Sequence, residues 1–178
     1  MKKLLIAGAL LILASCAPVP KGEPVPIKQL FAENAGKRFE CAEYEASSNT
    51  CEALAMSRVR GNRIDYRAEF IMPKLPGVPG IGKVTVTMPF QIEGDRYCGN
   101  FRRSNVKITG LPSSYSTDLA IALKAELAKE GDVCTRYYRE NVGYLSVTTR
   151  RDGTPIRDGS GRIVFLERPM ALRRVSLF

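Results

Sequence analysis

Two stretches of alternating side chains, each turning back on itself at a two-residue turn, constrain the fold of this chain most. In the first, residues 51–72 alternate around Gly61-Asn62, a dipeptide that suits the tight turn of a β-hairpin. On one face Arg58 lies opposite Asp65, a favourable cross-strand pair. Counting outward from the turn gives the other, mostly apolar face the pairs Val59–Ile64, Ser57–Tyr66, Ala55–Ala68 and Ala53–Phe70. The segment therefore predicts an antiparallel hairpin with one buried face.

A second hairpin is predicted around Gly94-Asp95. Its first strand carries an apolar side chain at every second position, namely Val84, Val86, Met88, Phe90 and Ile92. The turn places Ile92 opposite Tyr97 and directs Cys98 to the other face. Pro89 cannot donate a ladder hydrogen bond, so we expect this strand to be an edge or to bulge there. The Pro- and Gly-rich segment 73–83 joins the two hairpins, either as an apolar tip for a partner or membrane or as a stiff crossover.

One amphipathic helix is predicted between residues 113 and 131. Its apolar stripe recurs at helical spacing in Leu119, Leu123 and Leu127, and we expect this stripe to be core. Candidate N-cap residues are Ser113, Ser114 and Ser116, and Gly131 ends the pattern. Residues 143–150 and 162–168 read as further strands. The predicted fold class is α+β: one domain with a mainly antiparallel β-sheet of about five to seven strands, built from hairpins, and one amphipathic helix packed on it.

The amino terminus has the pattern of an export signal. Two lysines precede the apolar run Leu4 to Leu13, which is too short to span a bilayer because a spanning helix needs about 20 apolar residues. Leu13-Ala14-Ser15-Cys16 then resembles the lipobox of bacterial lipoproteins. The resemblance implies cleavage before Cys16 and acylation of that cysteine, with chains such as palmitate holding the protein on a membrane. It also implies that Ala17 after the cysteine favours the outer membrane, facing the periplasm, in a bacterium with two membranes.

These features predict three parts of the chain. Residues 1–15 are the lipoprotein signal peptide, residues 16–29 are the lipidated cysteine with a Pro-rich tether, and residues 30–178 are the single α+β domain. The resemblance to lipoproteins is confined to the signal peptide, and the sequence of the mature domain resembles no family.

The remaining cysteines are four, an even number, which in an oxidising compartment predicts two disulfides. We favour Cys41–Cys51, which closes a short polar loop, and Cys98–Cys134, which would tie a strand to the end of the helix. A zinc site is not expected, since the chain has no histidine and no closely spaced cysteine pair. We expect no metal and no cofactor.

Charge suggests an anionic partner. The net charge of +9 becomes +7 when Lys2 and Lys3 leave with the signal. Arginine binds phosphate and carboxylate bidentately, and the candidates for a basic contact surface are Arg150, Arg151, Arg157, Arg162, Arg168, Arg173 and Arg174. The alternative is that the charge is spread evenly and only keeps the protein soluble. We do not expect nucleic acid as a partner.

Two functions remain open from the sequence. The first is a lipid-anchored envelope protein that binds or scaffolds without catalysis. Its acyl chains would anchor it in the membrane, and its basic surface would bind an anionic envelope component or a protein. The second is a small periplasmic hydrolase or inhibitor-like module. The sequence favours the first function. The chain has no histidine and no close pair of carboxylates, which are the residues that acid–base catalysis most often uses.

Overall fold

A computed structural model describes residues 20–175, except for the side chain of Arg157. The helices in this range are α1 (Ile27–Glu33), α2 (Ser113–Glu130) and a short 3-10 helix (Phe101–Arg103). The strands are β1 (Phe39–Ala42), β2 (Thr50–Cys51), β3 (Ala53–Arg60), β4 (Arg63–Ile71), β5 (Lys83–Glu93), β6 (Arg96–Asn100), β7 (Asn105–Thr109), β8 (Asp132–Arg139), β9 (Tyr144–Arg150), β10 (Pro155–Leu166) and β11 (Ala171–Leu172). Within this range no helix is both long and apolar enough to cross a membrane. Cys16, the predicted signal peptide and the first residues of the predicted tether lie outside the described residues.

Eight of the strands form a closed antiparallel β-barrel. Around the barrel the order is β1, β3, β4, β5, β6, β8, β9 and β10, and β10 pairs back onto β1. The predicted α+β fold, an antiparallel sheet with one amphipathic helix packed on it, is therefore wrong: the domain is mostly β, and its sheet closes on itself. Closure depends on two strand pairings that the sequence pattern did not predict: β4 pairs with β5, and β1 pairs with β10.

The first hairpin has the predicted register. Arg58 pairs with Asp65, and the mostly apolar face has the pairs Val59–Ile64, Ser57–Tyr66, Ala55–Ala68 and Ala53–Phe70. The Pro- and Gly-rich segment after it is not a crossover. It is the loop of a third hairpin, because β4 and β5 are antiparallel neighbours and Ile71 pairs with Lys83.

The second hairpin is also present, with Ile92 opposite Tyr97 and Gln91 opposite Cys98. Pro89 is not on a sheet edge, because it pairs with Asp65 of β4 on one side. On its other side the partner strand changes, since β7 pairs with residues 83–87 and β6 with residues 91–93. The 3-10 helix separates β6 from β7, so the missing N–H of Pro89 falls where the ladder is already interrupted.

The barrel interior is closed at one end by α1. Ile27 and Leu30 are fully buried and pack with Ile64, Tyr144 and Phe165 in the main core. The backbone N–H of Ile27 donates to the carbonyl of Gly94 at the turn of the second hairpin. Val25 is buried as well, so the folded domain includes residues that the sequence assigned to a tether of residues 16–29.

Helix α2 covers the opposite end of the barrel. It begins and ends where the leucine spacing predicted, but Pro112 occupies the N-cap, and the Ser116 hydroxyl donates to the carbonyl of Leu111 instead of capping the helix. None of its residues is fully buried, because it meets the barrel at the end and beside β7, not on the face of a sheet.

Both predicted disulfides are present. Cys41 is joined to Cys51 and Cys98 to Cys134. The second bridge does not pin the helix, because Cys134 lies within β8, directly opposite Cys98 of β6. It therefore links two neighbouring barrel strands.

Candidate ligand-binding cavity

The barrel interior contains a cavity of about 430 Å³, lined by strand residues and, at one end, by side chains of α2. On the strands that contribute several lining residues, these residues alternate, as expected for side chains that point into a barrel. The exception is β10, whose register shifts between Pro155 and Ser160. Cavities that hold small molecules typically measure about 300–1,000 Å³. This cavity is therefore large enough for one small ligand.

Alanines keep the interior open along one wall. On β1, β3 and β4 the inward positions include Ala42, Ala53, Ala55 and Ala68, all of which line the cavity. An eight-stranded barrel is narrow enough for large inward side chains to fill it. Four small residues on adjacent strands leave that space empty.

The opposite wall is more polar. Ser146, Thr148 and Thr135 line the cavity from β8 and β9. The hydroxyls of Thr135 and Thr148 are 2.9 Å apart, and the Ser146 hydroxyl donates to the carbonyl of Gly161. These hydroxyls are thus paired within the protein while their side chains still face the cavity.

A buried carboxyl group lies in this interior. Glu40 is only 3% exposed and lines the cavity from β1. The hydroxyl of Ser57 donates to its Oε1, and the hydroxyl of Tyr137 donates to its Oε2 over 2.7 Å. The Tyr97 hydroxyl is 3.0 Å from that of Tyr137, so the four side chains form one hydrogen-bonded cluster.

Burial controls the ionisation of this cluster. Loss of solvation raises the pKa of Glu40 above its usual value, although the Ser57 and Tyr137 hydroxyls partly offset this. Burial also raises the pKa of Tyr97 and Tyr137, and the nearby Glu40 charge raises both further. Both tyrosines therefore stay neutral at physiological pH, and Glu40 is the group in the cluster that titrates nearest to it.

Replacing Glu40 by glutamine should remove a pH-dependent loss of stability. A carboxyl whose folded-state pKa is raised contributes stability below its unfolded pKa, and this is lost as pH rises through the folded pKa. Each unit of that difference corresponds to about 1.4 kcal/mol. We expect urea unfolding from pH 4 to pH 8 to show the free energy of unfolding of Glu40→Gln rising relative to wild type. Glu167→Gln, at an exposed position, is the control. If the free energy of unfolding of Glu40→Gln differs from that of wild type by the same amount at every pH, the raised pKa of Glu40 is contradicted.

Helix α2 contributes the remaining part of the lining. Leu123 and Leu127 reach the cavity from the helix, while Ile121, on its outer side, is 64% exposed. Elements held by few buried contacts open locally at low free-energy cost. Because no residue of α2 is fully buried, we expect this end of the barrel to open more readily than the end at α1, where Ile27 and Leu30 are fully buried.

Weakening the contacts of α2 should accelerate ligand exchange. In Leu123→Ala/Leu127→Ala we expect faster amide hydrogen exchange along α2 and about tenfold faster release of a bound apolar fluorophore, a loss of about 1.4 kcal/mol of closing free energy. Ile121→Ala changes the same helix on its exposed side and should leave both rates unaltered. Unchanged release in the double variant would exclude this route.

The candidate arginines are dispersed and mostly paired. Arg150 contacts Glu130 and Arg151 contacts Glu93. Arg162 contacts Glu140 and Arg173 contacts Glu52, so these four carboxylates come from four different parts of the chain. The side chain of Arg157 lies outside the described residues, and Arg168 and Arg174 lie beyond β10. Among the described candidates, the four ion pairs therefore join arginines to carboxylates from separate elements.

The sequence analysis did not find the cavity or Glu40. One signal for Glu40 was present: it is an acidic residue among the apolar side chains of Phe39-Glu40-Cys41-Ala42. The chain matches no protein-family model, and no curated protein or solved structure is significantly similar to it. Its function is therefore inferred from its own geometry.

Proposed function

We propose that this protein is a non-catalytic binding module that holds one small, largely apolar molecule inside its barrel. The observation that carries this proposal is the cavity of about 430 Å³ inside the barrel, lined by alanines and aromatic rings and bounded at one end by α2. Empty apolar volume lowers stability, because its lining lacks packing partners. A ligand that fills this space would supply the missing packing contacts and would stabilise the barrel.

The proposal includes a membrane anchor at Cys16, in the outer membrane and facing the periplasm where the organism has two membranes. Support comes from the lipobox-like sequence and from where the chain enters the fold. Val25 donates to the carbonyl of Tyr137, and Pro24 pairs with Tyr138, both at the α1 end of the barrel. The eight or so residues from Cys16 to Pro24 reach at most about 25 Å when extended. The α2 end would then face away from the membrane and exchange ligand with the periplasm.

Contact with an anionic envelope component or protein partner through the basic surface stays a second prediction. The ion pairs at Arg150, Arg151, Arg162 and Arg173 reduce the charge that these residues can offer a partner. The cavity is the better-defined site.

A hydrolase is the alternative, and one contact favours it. The Ser57 hydroxyl donates directly to the Glu40 carboxyl, the arrangement of a nucleophile and a base. However, both residues lie in strands whose backbone N–H groups are paired in the barrel, so donors for an oxyanion would have to be side chains. Ester turnover that disappears in Ser57→Ala would support this alternative over pure binding.

The test of the binding function is uptake of an uncharged apolar fluorophore, N-phenyl-1-naphthylamine. We expect saturable fluorescence enhancement at one site per chain in the full chain carrying Cys16→Ser, which cannot be acylated. Enhancement that persists when the cavity is filled by a larger side chain would contradict it.

A further inference from the structure

We propose that the ligand of this cavity is an organic cation, a protonated amine with an apolar body, whose ammonium group binds Glu40. This inference rests on the proposed binding function and names the class of ligand. It is argued from three features of the interior: the unused acceptor capacity of Glu40, the charges of the lining, and the aromatic rings beside the carboxyl.

Glu40 has hydrogen-bonding capacity left over. An ionised carboxylate offers about four acceptor sites on its two oxygens. Ser57 occupies one on Oε1 and Tyr137 one on Oε2, so each oxygen can accept once more. An ammonium group is a donor without acceptors and matches this requirement.

The charges of the lining favour a cation. The whole chain carries 27 basic against 18 acidic residues, yet none of the described residues lining the cavity is lysine or arginine. The hydrogen bonds that the structure gives Glu40 come from the hydroxyls of Ser57 and Tyr137, so within the described residues its partners are neutral. A buried charge is stabilised chiefly by an opposite charge, and here the ligand would supply it.

Aromatic rings surround the same place. Tyr66, Phe90, Tyr97 and Tyr137 all line the cavity. The ring centroids of Phe90 and Tyr97 are 4.7 Å apart, those of Tyr66 and Phe90 are 5.5 Å apart, and those of Tyr97 and Tyr137 are 6.1 Å apart. Aromatic rings grouped in this way attract ammonium groups through their π-faces, and they also pack against apolar ligand atoms.

Binding of a cation should release a proton. Among the described residues, Ser57 from β3, Tyr66 from β4, Tyr97 from β6 and Tyr137 from β8 interact with Glu40, and burial keeps the three tyrosines neutral. Asp158 from β10 also lines the cavity. An ammonium ion favours the ionised carboxylate and lowers the pKa of Glu40. Binding therefore strengthens as pH rises through the pKa of free Glu40, and below that pKa it expels the carboxyl proton.

The test compares three ligands with one tail and different head groups: octylammonium, octanol and octanoate. Calorimetric titration of the full chain carrying Cys16→Ser should show octylammonium binding about tenfold or more tighter than octanol, the range of a charge-assisted hydrogen bond of about 1.5–3 kcal/mol. Octanoate should bind most weakly. Titrations in two buffers of different ionisation enthalpy should reveal proton release with octylammonium and none with octanol.

Glu40→Gln provides the matched variant. It should remove both the preference for octylammonium over octanol and the proton release that accompanies octylammonium binding. The wild-type comparison alone is decisive if this variant does not fold: octylammonium binding no more tightly than octanol overturns the inference, whether or not octanol binds. Octanol or the fluorophore bound in the cavity without head-group preference would leave the binding function standing, whereas absence of all binding contradicts both proposals.

Discussion

Removing the Cys98–Cys134 disulfide should lower the free energy of unfolding by about 4 kcal/mol, and removing Cys41–Cys51 should lower it by about 3 kcal/mol. The difference follows from loop length, since the first bridge spans 36 residues and the second spans 10. A longer closed loop removes more conformational freedom from the unfolded chain. Losses of this size are large against the stability of about 5–15 kcal/mol that is usual for a domain.

The measurement is urea unfolding of Cys98→Ala/Cys134→Ala beside Cys41→Ala/Cys51→Ala. All four sulfurs are buried, so alanine avoids burying a hydroxyl, and the two double variants lose similar side-chain volume. Equal losses, or a larger loss for the shorter loop, would show that packing around the bridges and not chain entropy sets their contribution. The longer bridge also holds β6 to β8, two barrel strands that are separated in sequence by β7 and α2.

Local features of the fold could be predicted from the sequence. A two-residue turn and strict alternation were enough to predict every pair of the first hairpin. Both disulfide pairings were also predicted correctly. The hairpin and the Cys41–Cys51 bridge depend on residues close in sequence, and with four cysteines that bridge leaves Cys98 and Cys134 to pair. The extent of α2 could likewise be predicted, because its leucine spacing is local and Gly131 ends it.

Closure of the barrel could not be predicted in this way. Alternation separates an inner from an outer face on each strand, but an open sheet and a barrel give the same alternation. The deciding contact joins Phe39 to Leu166, at the two ends of the domain sequence. Helical spacing has the same limit, because it shows that Leu123 and Leu127 share a face without showing that this face meets a barrel end.

The cavity escaped prediction for a related reason. The apolar face of the first hairpin was expected to be core, and Ala53, Ala55 and Ala68 do point inward. Whether small inward side chains are packed or leave a space depends on what the opposite strands contribute. That wall consists of Thr135, Ser146 and Thr148, which sit far along the chain and do not fill the gap.

Filling that gap should weaken ligand binding in proportion to the volume added. Ala55 is buried on β3 and lines the cavity, so Ala55→Leu should reduce fluorophore affinity about tenfold and Ala55→Phe about 100-fold, or about 2.7 kcal/mol. The added side chains enter existing space, and the usual overpacking penalty of about 1–3 kcal/mol should therefore be small or absent. Unfolding measurements should show both variants at least as stable as wild type without ligand, because they remove empty volume.

The control is the same substitution outside the barrel. Ala125 is exposed on α2, and Ala125→Phe should leave affinity unchanged although it adds an aromatic ring to the surface. Loss of affinity in step with side-chain volume at Ala55 alone places the ligand inside the barrel. Equal affinity across the Ala55 series would place the bound fluorophore on the outer surface, and the interior would then have to be regarded as a packing defect and not a site.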